Sequence, residues 1–70
     1  MGITKAAVEL VNTLANVMNH DALRQARIRA VEIAQERGAT RVGENHLKQA
    51  LQEFAEGVTY HYEVEREFRQ

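Results

Sequence analysis

The sequence has no cysteine, and this absence excludes disulfide bonds, thiolate metal ligands and a cysteine nucleophile together. The chain is 70 residues long, so it forms one domain at most. A folded chain of that size buries only about 60% of the surface that its unfolded form exposes, and small domains usually need a disulfide, a metal or association for stability. Because cysteine is missing, we expect association with a partner to supply that stability.

Long apolar segments are missing as well. There is no run of about 18 apolar residues and no charged-then-apolar leader after Met1, so a cytoplasmic protein without a membrane contact is the default expectation. No Lys-Ser or Lys-Thr pair follows Gly38 and Gly43, so the sequence lacks a phosphate-binding loop. A chain this short also has little capacity to enclose a ligand pocket. We therefore predict that the protein is not an enzyme and holds no cofactor.

A surplus of basic residues is also absent, since nine Lys and Arg stand against ten Asp and Glu for a net charge of −1. Phosphate binding needs a basic surplus or a one-sided basic face, so we do not expect nucleic acid as a partner. The alternative is a helical DNA- or RNA-binding protein, which predicts salt-dependent binding to duplex DNA. Its contact residues would be Arg24, Arg27, Arg29 and Arg41.

Candidate catalytic and metal-ligating residues are few, because only His20, His46 and His61 are expected to titrate near neutrality. None has the spacing of a metal site, and His46 with Glu53 would supply two ligands where a stable site needs three or four. We predict no catalytic residue and no metal site, and we interpret Glu53 and Glu56 as exposed solubility charges. A small metal- or cofactor-binding accessory protein that uses His46 and His61 is the alternative.

What the sequence does contain is three amphipathic helical patterns. Apolar residues recur at steps of three and four over residues 3–18, 21–37 and 44–56. Gly38 follows the second pattern, where a glycine can end a helix by adopting the left-handed conformation. Gly43 can cap the start of the third helix. Between them Val42 is expected in the core. The sequence therefore predicts a mainly α fold, a compact three-helix domain over residues 1–57.

The pattern changes in the C-terminal extension, residues 58–70. Apolar and polar residues alternate there as in a half-buried strand, although the spacing of Tyr60, Val64 and Phe68 leaves a helix as the alternative. A strand needs a hydrogen-bonding neighbour, and the only other extended piece predicted is the strap at residues 40–42. We therefore expect the extension to pair with its own copy or with another protein. The predicted partner-binding residues are Val58, Tyr60, Tyr62, Val64 and Phe68.

Residues 26–50 resemble a small helical module found at the end of one subunit of light-independent protochlorophyllide reductase and in short stand-alone relatives. The resemblance lies in the Ala34-Gln35-Glu36-Arg37-Gly38 helix ending, in Val42, and in Leu47 and Ala50. The pattern Val-Gly-x-x-His-Leu at residues 42–47 is similar to the helical lid of AAA+ ATPases and to the N-terminal repeats of Clp chaperones, and a histone-like fold is a further candidate. These resemblances imply a fold and carry over no catalytic residue.

Small size, the missing disulfide and the apolar extension together predict a small non-catalytic subunit or adaptor. We expect it to work as a homo-oligomer or as part of a larger enzyme complex.

Overall fold

Three α-helices and two short β-strands make up residues 1–55, the part of the chain that the computed structural model describes. The elements follow in the order β1 (Gly2–Ile3), α1 (Lys5–Leu14), α2 (His20–Glu36), β2 (Arg41–Val42) and α3 (Glu44–Ala55). The prediction of a mainly α, compact three-helix fold is confirmed. The predicted extension at residues 58–70 lies outside the described residues. None of these three helices combines the length and apolarity that a bilayer crossing requires.

Helix α1 is shorter than its periodicity predicts, and Thr4 caps its start. The Thr4 hydroxyl accepts a hydrogen bond from the backbone N–H of Ala7 at 3.1 Å, and Thr4 itself is extended. The helix therefore begins at Lys5 instead of residue 3, and it ends at Leu14 instead of residue 18. Val17, which fits the predicted buried stripe, lies beyond the helix and is 75% exposed.

The residues before this cap form a second extended piece. Strand β1 pairs in parallel with β2, with Gly2 opposite Arg41 and Ile3 opposite Val42. The N–H of Thr4 continues the ladder by donating to the Val42 carbonyl at 3.0 Å. The prediction that the strap is the only extended piece outside the C-terminal extension is therefore wrong, because a helix that starts at an N-cap leaves the preceding residues free to pair.

Helix α2 is capped at both ends, by Asn19 at its start and by the predicted Gly38 after its end. The Asn19 side-chain oxygen accepts hydrogen bonds from the N–H of Asp21 at 2.8 Å and from the next N–H at 3.4 Å. At the other end Gly38 has φ +69°, the left-handed conformation. The N–H groups of Gly38 and of the residue after it donate back to the carbonyls of Gln35 and Ala34. These bonds satisfy the last carbonyls of the helix and turn the chain toward β2.

The core lies where α3 packs against both α2 and α1, with β2 against α2. Ile33 and Leu47 are its largest fully buried side chains, and Val42 is 6% exposed, as predicted. Most of the other members are alanines, which let helix axes approach at the low end of roughly 8–10 Å. The cluster consists of Ala7, Ala30, Ile33, Ala34, Val42, Leu47 and Ala50.

Candidate functional site

The four arginines of the nucleic-acid alternative lie on two elements, and Arg29 does not share the face of Arg24 and Arg27. Arg24 and Arg27 are exposed on one flank of α2, whereas Arg29 is rotated from them by about 140–160° at 100° per residue. Arg41 is exposed on a separate element, β2. A one-sided basic face of the kind that binds phosphates would need these side chains together.

Arg29 is the centre of a cluster of carboxylates that joins α2 to α3. Its Nε and Nη2 donate to the two carboxylate oxygens of Glu53 at 2.7 and 3.3 Å, a bidentate geometry. Its Nη1 donates to Glu32 at 3.4 Å and to Glu36 at 3.3 Å. The pKa of the Arg29 guanidinium is raised above its usual value, mainly because of its hydrogen bonds to Glu53. Partial burial acts in the opposite direction and is the weaker effect. Arg29 therefore serves as a cross-link between helices.

The interpretation of Glu53 as an exposed solubility charge is wrong. Its side chain is only 17% exposed, and that of Arg29 is 27% exposed. Glu53 follows the buried Ala50 by three residues, so helical periodicity places it beside the buried stripe of α3. That signal is present in the sequence, but it does not identify the partner on another helix.

The remaining arginines differ in their surroundings. Arg24 Nη2 lies 3.0 Å from Asp21 Oδ1, in a pair whose side chains are 54% and 65% exposed. Such exposed pairs contribute little to stability. Within residues 1–55, Arg27 and Arg41 make no ion pair with a carboxylate. These two cations lie on different elements, which weighs against a shared phosphate-binding role.

His46 has a structural partner in the first turn of α3. Its Nδ1 accepts a hydrogen bond from the N–H of Gly43 at 2.9 Å, which satisfies the backbone donor at the helix N-cap. Glu53, its suggested companion ligand, is held by Arg29. His20 is exposed at the start of α2, and His61 lies outside the described residues. The described part of the chain contains no group of three or more His, Cys, Asp or Glu placed to hold a metal ion.

Several large apolar side chains remain exposed on the described body. They lie on the N-terminal residue, β1, α1, the α1–α2 turn and α2. Ile28 differs from the others because it lies on the side of α2 opposite the buried residues, 47% exposed, with Arg24 four residues before it and Glu32 four residues after it. The set is Met1, Ile3, Val8, Val17 and Ile28.

The predicted partner-binding residues Val58, Tyr60, Tyr62, Val64 and Phe68 all lie outside the described residues, so their role stays a prediction.

No protein-family model matches the chain, and neither the curated proteins nor the solved structures contain a match. The resemblance to the protochlorophyllide reductase module therefore also stays a prediction.

Proposed function

We propose that this chain is a small non-catalytic subunit or adaptor that binds a protein partner through residues 58–68. The observation that carries the proposal is the contrast between the two parts of the chain. The described body places its chemistry-bearing groups in structural roles: Arg29 links two helices and His46 caps one. The sequence after it alternates tyrosine and valine with polar residues, a composition typical of interface anchors.

The segment follows a helix that is packed against its neighbours. The last described helix, α3, is fixed to α2 by the Arg29–Glu53 pair near its C-terminal end. Residues 56–70 follow directly from that end. A partner that binds the extension would therefore be joined to the packed pair α2 and α3, as expected of an adaptor.

The arginine alternative receives less support from the same geometry. Arg29 is bound by three carboxylates and Arg24 by one, and the other two arginines lie on different elements. Duplex DNA binding that weakens as salt rises would restore this alternative.

The test compares two sets of substitutions in the full chain, at alternate positions of the extension. Tyr60→Ser with Tyr62→Ser removes the proposed anchors, and His61→Ser with Glu63→Ser is the matched control at the neighbouring polar positions. Each tagged protein is purified from its native cells, and co-purifying proteins are quantified by mass spectrometry. We expect one partner to be retained by the wild type and by the control but lost from the tyrosine variant.

Equal retention of the same proteins by both variants contradicts the proposed role of the tyrosines. Failure of the wild type to retain any protein, including its own untagged copy, contradicts the adaptor function itself.

A further inference from the structure

The outward face of α2 carries opposite charges at equal distances on the two sides of one residue. Ile28 lies on the side of the helix opposite the buried residues and is 47% exposed. Arg24 lies four residues before it and Glu32 four residues after it, so both flank Ile28 on the same face. An exposed apolar centre thus has a positive charge on its N-terminal side and a negative charge on its C-terminal side.

We propose that this face, defined by Arg24, Ile28 and Glu32, binds the same face of a second copy of the chain about a two-fold axis at Ile28. In such an antiparallel pair, the residue n positions before Ile28 in one copy faces the residue n positions after Ile28 in the other copy. Arg24 then faces the second copy's Glu32 on both sides of the axis. A parallel pairing would place like charges together, so the charge pattern selects the antiparallel arrangement.

The charged side chains have hydrogen-bonding capacity left for this contact. Arg24 uses Nε and Nη2 on the same Asp21 oxygen, at 3.3 and 3.0 Å. Glu32 uses Oε1 to accept from Arg29 at 3.4 Å. Within residues 1–55 neither Arg24 Nη1 nor Glu32 Oε2 makes a hydrogen bond to a side chain. One donor and one acceptor on each copy can therefore form the two pairs across the axis without breaking the contacts inside each chain.

The size of this face sets the expected strength of the contact. One helix face per copy is smaller than the roughly 800 Å² per partner of a standard interface, and Ile28 is the only exposed large apolar residue of α2. We expect a weak dimer, dissociating in the micromolar range or above. This contact is separate from the extension of the proposed function, and either can exist without the other.

The first test is analytical ultracentrifugation of the full chain up to about millimolar concentration, where a contact of this size is expected to be populated. Ile28→Asp is expected to raise the dimer dissociation constant at least about tenfold, because it replaces the apolar centre by two facing charges. Val17→Asp is the matched control, since Val17 is more exposed and lies outside α2. A wild type that stays monomeric, or an unchanged dissociation constant for Ile28→Asp, overturns the proposal.

A charge exchange tests the pairing itself. Arg24→Glu and Glu32→Arg should each weaken the homodimer, because like charges then face each other. The double variant should restore it, and a mixture of the two single variants should form heterodimers. Because Glu32→Arg also disturbs Arg29, circular dichroism is used to check that this variant is folded. Glu32→Gln removes the charge without reversing it, so it should weaken the dimer less than Glu32→Arg. Equal affinities across this series overturn the proposal.

The tyrosine variant of the extension separates this inference from the proposed function. We expect Tyr60→Ser with Tyr62→Ser to leave the α2 dimer unchanged. If that variant abolishes self-association and Ile28→Asp does not, the α2 contact is refuted, and the extension is the self-association segment.

Discussion

Replacing Arg29 by glutamine removes the charge that joins α2 to α3 and leaves Glu53 without its cation. Hydrogen bonds to charged groups contribute about 1.5–3 kcal/mol, whereas fully exposed ion pairs contribute about 0.2–1 kcal/mol. The Arg29 and Glu53 side chains are 27% and 17% exposed, which places this pair between the two cases. We therefore expect Arg29→Gln to lower the free energy of unfolding by about 1–1.5 kcal/mol, or the Tm by roughly 4–12 °C.

The assay is a double-mutant cycle with Arg29→Gln, Glu53→Gln and the double variant, each followed by urea unfolding. The coupling energy should be about 1 kcal/mol or more. Lys48→Gln is the control: its pair with Glu44 is 62% and 47% exposed, and its loss should cost less than about 0.5 kcal/mol. An Arg29 effect no larger than the Lys48 effect would refute the assignment of Arg29 as a cross-link.

The pH dependence of this contribution has a defined sign. The folded state raises the pKa of Arg29, so the stability that the arginine provides is fully present below its unfolded pKa and is lost only as pH rises through still higher values. We expect the measured coupling to stay constant between about pH 6 and 9.

Two backbone features give further predictions. Gly38→Ala should lower the free energy of unfolding by about 1 kcal/mol, because φ +69° disfavours a Cβ by about 1–2 kcal/mol even though no atom lies within 4 Å of it. Thermal melts should show no such loss for Gly2→Ala, and an unchanged Tm for Gly38→Ala would contradict the helix-end account. His46→Ala should cost about 0.5–1.5 kcal/mol in urea unfolding by leaving the Gly43 N–H without its acceptor, and His46→Gln should recover part of it. Equal losses in both His46 variants would show that the hydrogen bond is not what matters.

Much of the fold could be predicted from short-range pattern. The glycine after α2 and the asparagine before it act within four residues of the groups that they cap, so Gly38 and Asn19 were identifiable. The start of α1 was missed because Ile3 fits the helical spacing. Ile3 lies outside the helix because Thr4 caps the helix start and because Ile3 pairs with Val42 of β2.

The candidate site was less predictable than the helices. Helical rotation correctly separates Arg29 from Arg24 and Arg27, but it does not say which carboxylate Arg29 meets. Glu53 lies 24 residues along the chain, and its role depends on how α3 packs against α2.

The sequence by itself determined three amphipathic helices, the turns between them and the absence of cysteine chemistry, because periodicity and capping depend on neighbours within about four residues. Tertiary structure alone decided that Gly2 and Ile3 pair with β2 and that Glu53 binds Arg29. Such contacts join segments far apart in the chain, so they exist only once the alanine-rich core has brought those segments together.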